Sequence, residues 1–493
     1  MQKKQTILVV TSLLVVVLSV TLAYFTAQII GKGKAVSVSS ADLKIIFTDS
    51  DGAISGSNIE PGWSDTKTFT IENKSNETYK YNIVIQNLVN TFVTEGYLQY
   101  KITSTNGGYN MTEFKDVPKS SVATDTILAY SVSIPVGVTQ SYTIEFKYAN
   151  DESVDQSDDM GKKLSGKLFI TEGTEEPVTL LSQLLADKST VLTRTNFNTV
   201  LTTDNTNTLY TSTEDSKTVY YFAGNATDNW VKFGKNASNQ DLYWRIIRTN
   251  SDGSIRLLYH GTSPEATDAV INTNTSFNSS RDNIAYVSYM YGSLGSVENA
   301  RENTNNSTIK TIIDNWYKDN LNTNYGKYLS TTAVYCNDRS TSDNRKFGAR
   351  TRLETNKQPT YDCSATEDKF TVDSSAGNGK LTYPIALMTA DEVSFAGGVY
   401  TTNSKTWYYY NSAKGSSTGS QWWWLLSPYG WDGIYAYVFG VNGSSVPGYL
   451  GSSNVSSTHG VRPSVSLKSC TLYSTGNGTS ETPYTIEETE TGC

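Results

Sequence analysis

In two stretches, Tyr79–Ile85 and Tyr142–Tyr148, large apolar side chains recur at every second position of the chain. Tyr79, Tyr81, Ile83 and Ile85 fall on one side of an extended backbone, with Lys80, Asn82 and Gln86 on the other. Tyr142, Ile144, Phe146 and Tyr148 repeat the pattern against Thr143, Glu145 and Lys147. A period of two is the mark of a strand that buries one face and wets the other. The turn formers at Asn73–Glu77 predict a hairpin there, and the stretch "AYSVSIPVGVTQSYTIEFKYAN" predicts a second of the same design. Short strands joined by Gly, Asn and Asp turns imply a β-sandwich, jelly-roll-like, over residues 31–172.

A chain of 493 residues exceeds what one hydrophobic core organises. Its 37% hydrophobic and 18% charged residues, with 33 Tyr, match an all-β extracellular protein better than a helical cytosolic enzyme. A net charge of −8 with no basic stripe argues against nucleic acid as a partner. Lys3 and Lys4 precede an apolar run from Ile7 to Phe25, so residues 1–30 read as an export signal. Thr21 and Ala23 fit a cleavage site, while the run is also long enough to remain as a membrane anchor. Either way the positive flank stays inside and the remainder is extracellular or at the cell surface.

Cys336, Cys363, Cys470 and Cys493 form an even set in the last third of the chain, and in an exported protein they predict two disulfides in sequential pairing. Closing a loop of this size stabilises by about 3 kcal/mol through chain entropy. His260 and His459 stand in no ligand motif, and no nucleotide or flavin fingerprint occurs, so neither a metal nor a cofactor is expected.

The acidic, proline-containing "EGTEEP" reads as the start of a linker over 173–217, with one short helix at Leu180–Leu185 and loose packing beyond it. A second folded unit of α+β type follows over 218–493. Its signals are a hairpin turning at Asp252–Gly253 and a helix through Ile309, Ile313, Trp316 and Tyr317 capped by Ser307. Another short helix is capped by Thr389, with Glu392 three residues on and Gly397 as its stop.

"AYFTAQ", then "NIEPGWSDTKTFTIENKSNETYKYNI" and the closing "GKLFI" resemble the camelysin/TasA family over residues 20–172. The most specific part is the N-x-x-P-G turn followed by F-x-I-x-N-x-S. The resemblance implies an exported β-sandwich protein of low-GC Gram-positive bacteria, in a family with biofilm-fibre subunits and a proposed surface metalloprotease. HExxH is missing and the first 200 residues hold no histidine, so the protease role does not carry over.

The ordered set "YWRII", "CNDRS", "LTYPIALMTADEV", "WWWLLSP" and "GVRPSVSL" resembles an uncharacterised domain of bacterial surface proteins over 218–490. Its ending is also similar to the C-type-lectin-like fold, which includes formylglycine-generating-enzyme domains and diversified receptor-binding proteins. That resemblance implies a lectin-like α+β domain.

Trp422, Trp423 and Trp424 alternate between the two faces of a strand, so both faces must be covered, and each ring can bury about 200 Å². They are expected in the core, with Arg462 tying loop carbonyls together through its five donors. The Tyr/Asn/Ser/Gly-rich stretch after them has the composition of adaptable binding loops. Tyr429, Trp431, Asp432, Tyr435, Asn442, Tyr449, Asn454 and His459 are the residues expected to touch a partner, a glycan or protein surface ligand. The bland alternative is a solvated Asn/Ser-rich loop. The functional alternatives are an extracellular fibre or matrix subunit, and an enzyme built on the lectin-like scaffold around Cys336 or Asp391. No catalytic residue is assigned: neighbouring carboxylates such as Asp391 and Glu392 point apart on a helix and serve better as capping charges.

Overall fold

The computed structural model describes residues 36–40, 43–49, 53–55, 59–266, 269–343, 345–404, 422–442, 448–490 and 492–493. The expected export segment, residues 1–30, lies outside them. Among the described residues no helix is long and apolar enough to cross a membrane. The fold is mainly β, and the chain divides into two compact units, Met1–Glu176 and Pro177–Cys493.

The first unit is built from β1 (Val36–Ser40), β2 (Leu43–Asp49), β3 (Ala53–Ser55), β4 (Ser64–Asn73) and β5 (Tyr79–Asn90). It continues with β6 (Leu98–Ser104), β7 (Lys115–Asp116), β8 (Ser120–Ile134), β9 (Thr139–Tyr148) and β10 (Leu164–Glu172). One sheet has the order β1-β2-β4-β9-β6-β7 and the other β3-β10-β5-β8. The alternating residues Tyr81, Ile83, Ile85, Tyr142, Ile144 and Phe146 are all buried in one core.

The two expected hairpins are not hairpins. β4 and β5 belong to different sheets, and so do β8 and β9, so both connections arch across the sandwich. Asn73 holds the two arches together. Its side-chain amide donates to the carbonyls of Glu77 (2.8 Å) and Ile134 (3.0 Å), and its Oδ1 accepts from the Ser75 N–H (2.9 Å). Its backbone N–H reaches the Val138 carbonyl, while the Gly137 N–H donates back to its own carbonyl. The N-x-S step of the motif is therefore a fully bonded corner, with Phe69 and Ile71 buried just before it.

The second unit opens with α1 (Leu180–Asp187), capped by Thr179, and β11 (Thr190–Thr193). The strands β12 (Thr208–Glu214), β13 (Lys217–Tyr221), β14 (Trp230–Lys235), β15 (Asp241–Thr249), β16 (Ile255–Gly261) and β17 (Asn272–Ser276) follow. Then come α2 (Thr308–Asn320), β18 (Ile385–Leu387), α3 (Ala390–Phe395) and β19 (Trp423–Trp431). β20 (Ala436–Val441), β21 (Leu450–Asn454), β22 (Thr458–Val461) and β23 (Pro463–Leu467) complete the main elements. One sheet runs β11-β12-β13-β15-β16-β23-β18, with β14 also on β15. A second joins β17, β22 and β19 to the short strands Lys346–Phe347 and Thr341–Asp343, with β20 on β19 and β21 on β20.

The expected linker over 173–217 is corrected here: from Pro177 onward it is part of the second unit. Leu180, Leu184 and Leu209 are core residues, and β12 is an interior strand of the sheet. Thr-rich strands carry few bulky apolar side chains, which is why this stretch reads as loose although its backbone is laddered. The helices capped by Ser307 and Thr389 form as expected, the second with a complete capping box to Glu392. The disulfides are Cys336–Cys363 and Cys470–Cys493, bonds that persist in oxidising compartments.

Candidate functional site

The tryptophan cluster divides by burial. Trp423 and Trp424 are fully enclosed, while Trp422 is half-buried. The Trp424 indole N–H donates to the Thr275 carbonyl at 2.8 Å, and its ring meets Phe277 edge-on. Arg462 lies over the Trp423 ring at 4.8 Å, and its Nε and Nη2 donate to the Tyr259 carbonyl at 3.2 and 3.1 Å. The carbonyl that it ties belongs to β16, a strand of the neighbouring sheet, rather than to a loop.

The segment after Trp424 is not one long loop. Among its described residues most belong to strands β19, β20, β21 and β22, and Asp432–Ile434 at the β19–β20 turn are exposed. Asn442 is only 2% exposed, so it is removed from the expected contact set. Asn454 shapes a turn: its Oδ1 accepts from the Ser456 N–H at 3.0 Å. His459 stacks on Trp422, its ring 4.6 Å from that of Trp424, and its Nε2 meets Ser453 Oγ at 2.8 Å. Tyr449 packs edge-on to Trp422 and is half-buried. These residues brace the sheet from one side.

Burial holds the His459 imidazole down, to about 4, so the ring is neutral at physiological pH. Because the folded state then binds fewer protons than the unfolded one between about pH 6.5 and 4, stability rises with pH across that window. Acidifying from pH 7 to 4 is expected to cost the native chain about 2 kcal/mol more than a His459→Gln variant. The full shift would give roughly 3, and partial solvent access reduces it. Paired urea titrations at the two pH values measure this difference. Equal acid sensitivity of the two proteins contradicts it.

Tyr429, Trp431, Asp432 and Tyr435 do come together, at the β19–β20 hairpin. The Asp432 carboxylate accepts the N–H groups of Ile434 (2.8 Å) and Tyr435 (2.6 Å) and the Tyr437 hydroxyl (2.9 Å), and those backbone donors hold it below the usual carboxylate range. This fixes the tip and leaves Ile434 63% exposed, an apolar side chain presented to solvent on a rigid turn. Arg281 lies over the Tyr435 ring at 4.1 Å. Behind the tip, Arg350 covers Tyr429 at 4.3 Å, and Glu354 bonds Arg350 at 2.6 Å. The Tyr400 and Tyr429 hydroxyls meet at 2.6 Å. The result is a stack of aromatic and guanidinium planes, the chemistry enriched at protein interfaces.

Sequence reasoning missed Arg281, Arg350, Glu354, Tyr400 and Ile434. The first four come from segments far from the hairpin, and the period-two reading places residues on faces without saying which distant strand or turn lies beside them.

Asp391 and Cys336 line a different place, a cavity of about 20 Å³ shared with Arg248, Arg256, Asp338, Arg352 and Glu392. That volume holds about one water. Arg352 forks onto both oxygens of Asp391 (3.0 and 2.9 Å) and reaches Asp338 at 2.7 Å. Glu392 Oε1 accepts from Arg248 and Arg256, each at 2.9 Å, and Arg248 also binds Glu214 at 2.8 Å. Burial alone raises the Glu392 carboxyl, but the Arg256 and Arg248 guanidiniums overcome it and hold the group lowered. The cluster is an ionic hub in which Arg248, Arg256 and Arg352 take the carboxylates of Glu214, Glu392, Asp338 and Asp391, and Cys336 is spent in its disulfide. Among the described residues no group of His, Cys, Asp and Glu is arranged to hold a metal ion.

No protein-family model matches the chain, and no curated protein is significantly similar to it.

Proposed function

We propose that this is an exported bacterial surface protein, secreted or tethered through its N-terminal segment, that recognises a partner through the β19–β20 hairpin of its second unit. The observation that carries the reading is the rigid tip Asp432–Tyr435, which presents Ile434 to solvent beside the stacked Tyr435–Arg281 and Tyr429–Arg350 pairs. Rigid aromatic and arginine side chains lose little entropy on binding and are the common anchors of interfaces. The Lys3–Lys4 flank with its apolar run, and the two disulfides, support export.

A camelysin/TasA-like sandwich and a lectin-like distal unit are part of this proposal. The two-sheet arrangement, with Phe69, Ile71, Asn73 and Ser75 at the arch, supports the first. The fibre reading has less support. The edge strand β8 breaks register with β5 at four points, and bulged edges template further strands poorly.

Full-length protein is tested on a glycan array and on immobilised host surface proteins. Binding to at least one of these is expected, and Ile434→Asp is expected to weaken it at least tenfold, as loss of an interface anchor does. The melting temperature should hardly move, because the side chain is exposed. Capture unaffected by Ile434→Asp, or no capture on either surface, rejects the hairpin as the recognition element.

A further inference from the structure

We propose that Lys188 and Asp228 become joined by an amide bond between their side chains. Lys188 follows α1, and Asp228 lies 40 residues later, just before β14. Both side chains are sealed from solvent, at 0% and 2% exposure, and Nζ stands 2.6 Å from Oδ2. The pocket is walled by Phe222 and Tyr484, whose ring centres are 5.5 and 5.7 Å from Nζ. Gly478 closes it: a Cβ there would fall 2.4 Å from the Asp228 carbonyl oxygen.

The hydrogen bonds fit the amide better than the ion pair. Nζ donates to the Asp228 backbone carbonyl at 3.0 Å, and Oδ2 accepts the Asn207 N–H at 2.7 Å. Oδ1 is buried with no hydrogen-bond partner, a costly position for a carboxylate oxygen. In the amide, the single remaining N–H keeps the Asp228 carbonyl and the single remaining oxygen keeps Asn207. Oδ1 is the atom that leaves. Every buried polar group is then satisfied.

The chemistry balances without a co-reactant. One proton passes from the ammonium to the carboxylate within the pair, giving amine and acid. The nitrogen lone pair attacks Cγ, a second proton passes from nitrogen to Oδ1, and the Cγ–Oδ1 bond breaks as Oδ1 takes the proton held on Oδ2 and departs as water, so that Oδ2 becomes the amide oxygen. Apolar walls favour this step because it replaces two charges by a neutral amide. Lys310 and Asp314 make a similar contact at 2.5 Å, but within one turn of α2 and with an Asp314 side chain that is 12% exposed.

Both disulfides lie beyond residue 335, so the early strands of the second unit have no disulfide to tie them. The amide would fasten the point where the chain enters that unit to its core.

The test is a tryptic map of the full-length protein after denaturation and reduction. The expected result is no cleavage after Lys188 and a branched peptide one water lighter than the sum of its two arms. Lys188→Met, which fills the space without an amine, is expected to return a linear Asp228 peptide. Should that variant fail to fold, the digest of the unaltered chain decides alone. Recovery of linear peptides with free Lys188 and Asp228 overturns the proposal, and so does a branch at Lys310–Asp314 in its place.

Discussion

Substituting Glu392 by alanine is expected to lower the stability of the second unit by about 3–5 kcal/mol, the usual cost of removing one partner from a buried ionic cluster. Glu392 is 1% exposed and shares Oε1 between Arg248 and Arg256, while its Oε2 accepts the Thr389 N–H that starts α3. Alanine therefore removes three interactions. Arg248 retains Glu214, but Arg256 is left with the Val334 carbonyl, its contact with the Tyr335 ring and an Nε that already lacks a hydrogen-bond partner. Glu392→Gln separates the contributions, since it keeps an acceptor and removes the charge. It is expected to fall between the native chain and the alanine variant. Urea unfolding followed by tryptophan fluorescence measures both. A loss below about 1 kcal/mol for the alanine variant would show that the hub is solvated in solution.

Trp424→Ala is expected to cost about 3–5 kcal/mol, as other fully buried indoles do. The ring has no exposure, contacts Phe277 and His459, and its N–H satisfies the Thr275 carbonyl of β17. Loss of the side chain opens a cavity and removes the indole donor from that carbonyl. Trp422→Ala is the contrast. Its ring is half-buried against His459 and Tyr449, so the cost is expected to stay near 1 kcal/mol. Equal losses for the two variants would contradict the division of the cluster into core and sheet-bracing members.

Much of this fold is legible in the residues themselves. Alternation at Tyr79–Ile85 and Tyr142–Tyr148 identifies strands and their buried faces, because side-chain period is a property of the extended backbone. The caps at Ser307 and Thr389 are local too, since the side chain bonds an N–H three residues away. The cysteine pairing follows the order of the four cysteines along the chain.

The legible features are local: which residues are extended, which face is buried, where helices start, and that clustered indoles belong largely inside. The tertiary structure alone decided the partners. An apolar face does not specify whether the next strand lies beside it or across the core, so Asn73–Glu77 reads as a hairpin yet forms an arch. Thr-rich β11 and β12 gain their place from backbone ladders, which leave no trace in hydropathy. Arg281 and Arg350 meet Tyr435 and Tyr429 only because long-range pairing carries them there, and the energy of such contacts depends on distances that one-dimensional patterning does not encode.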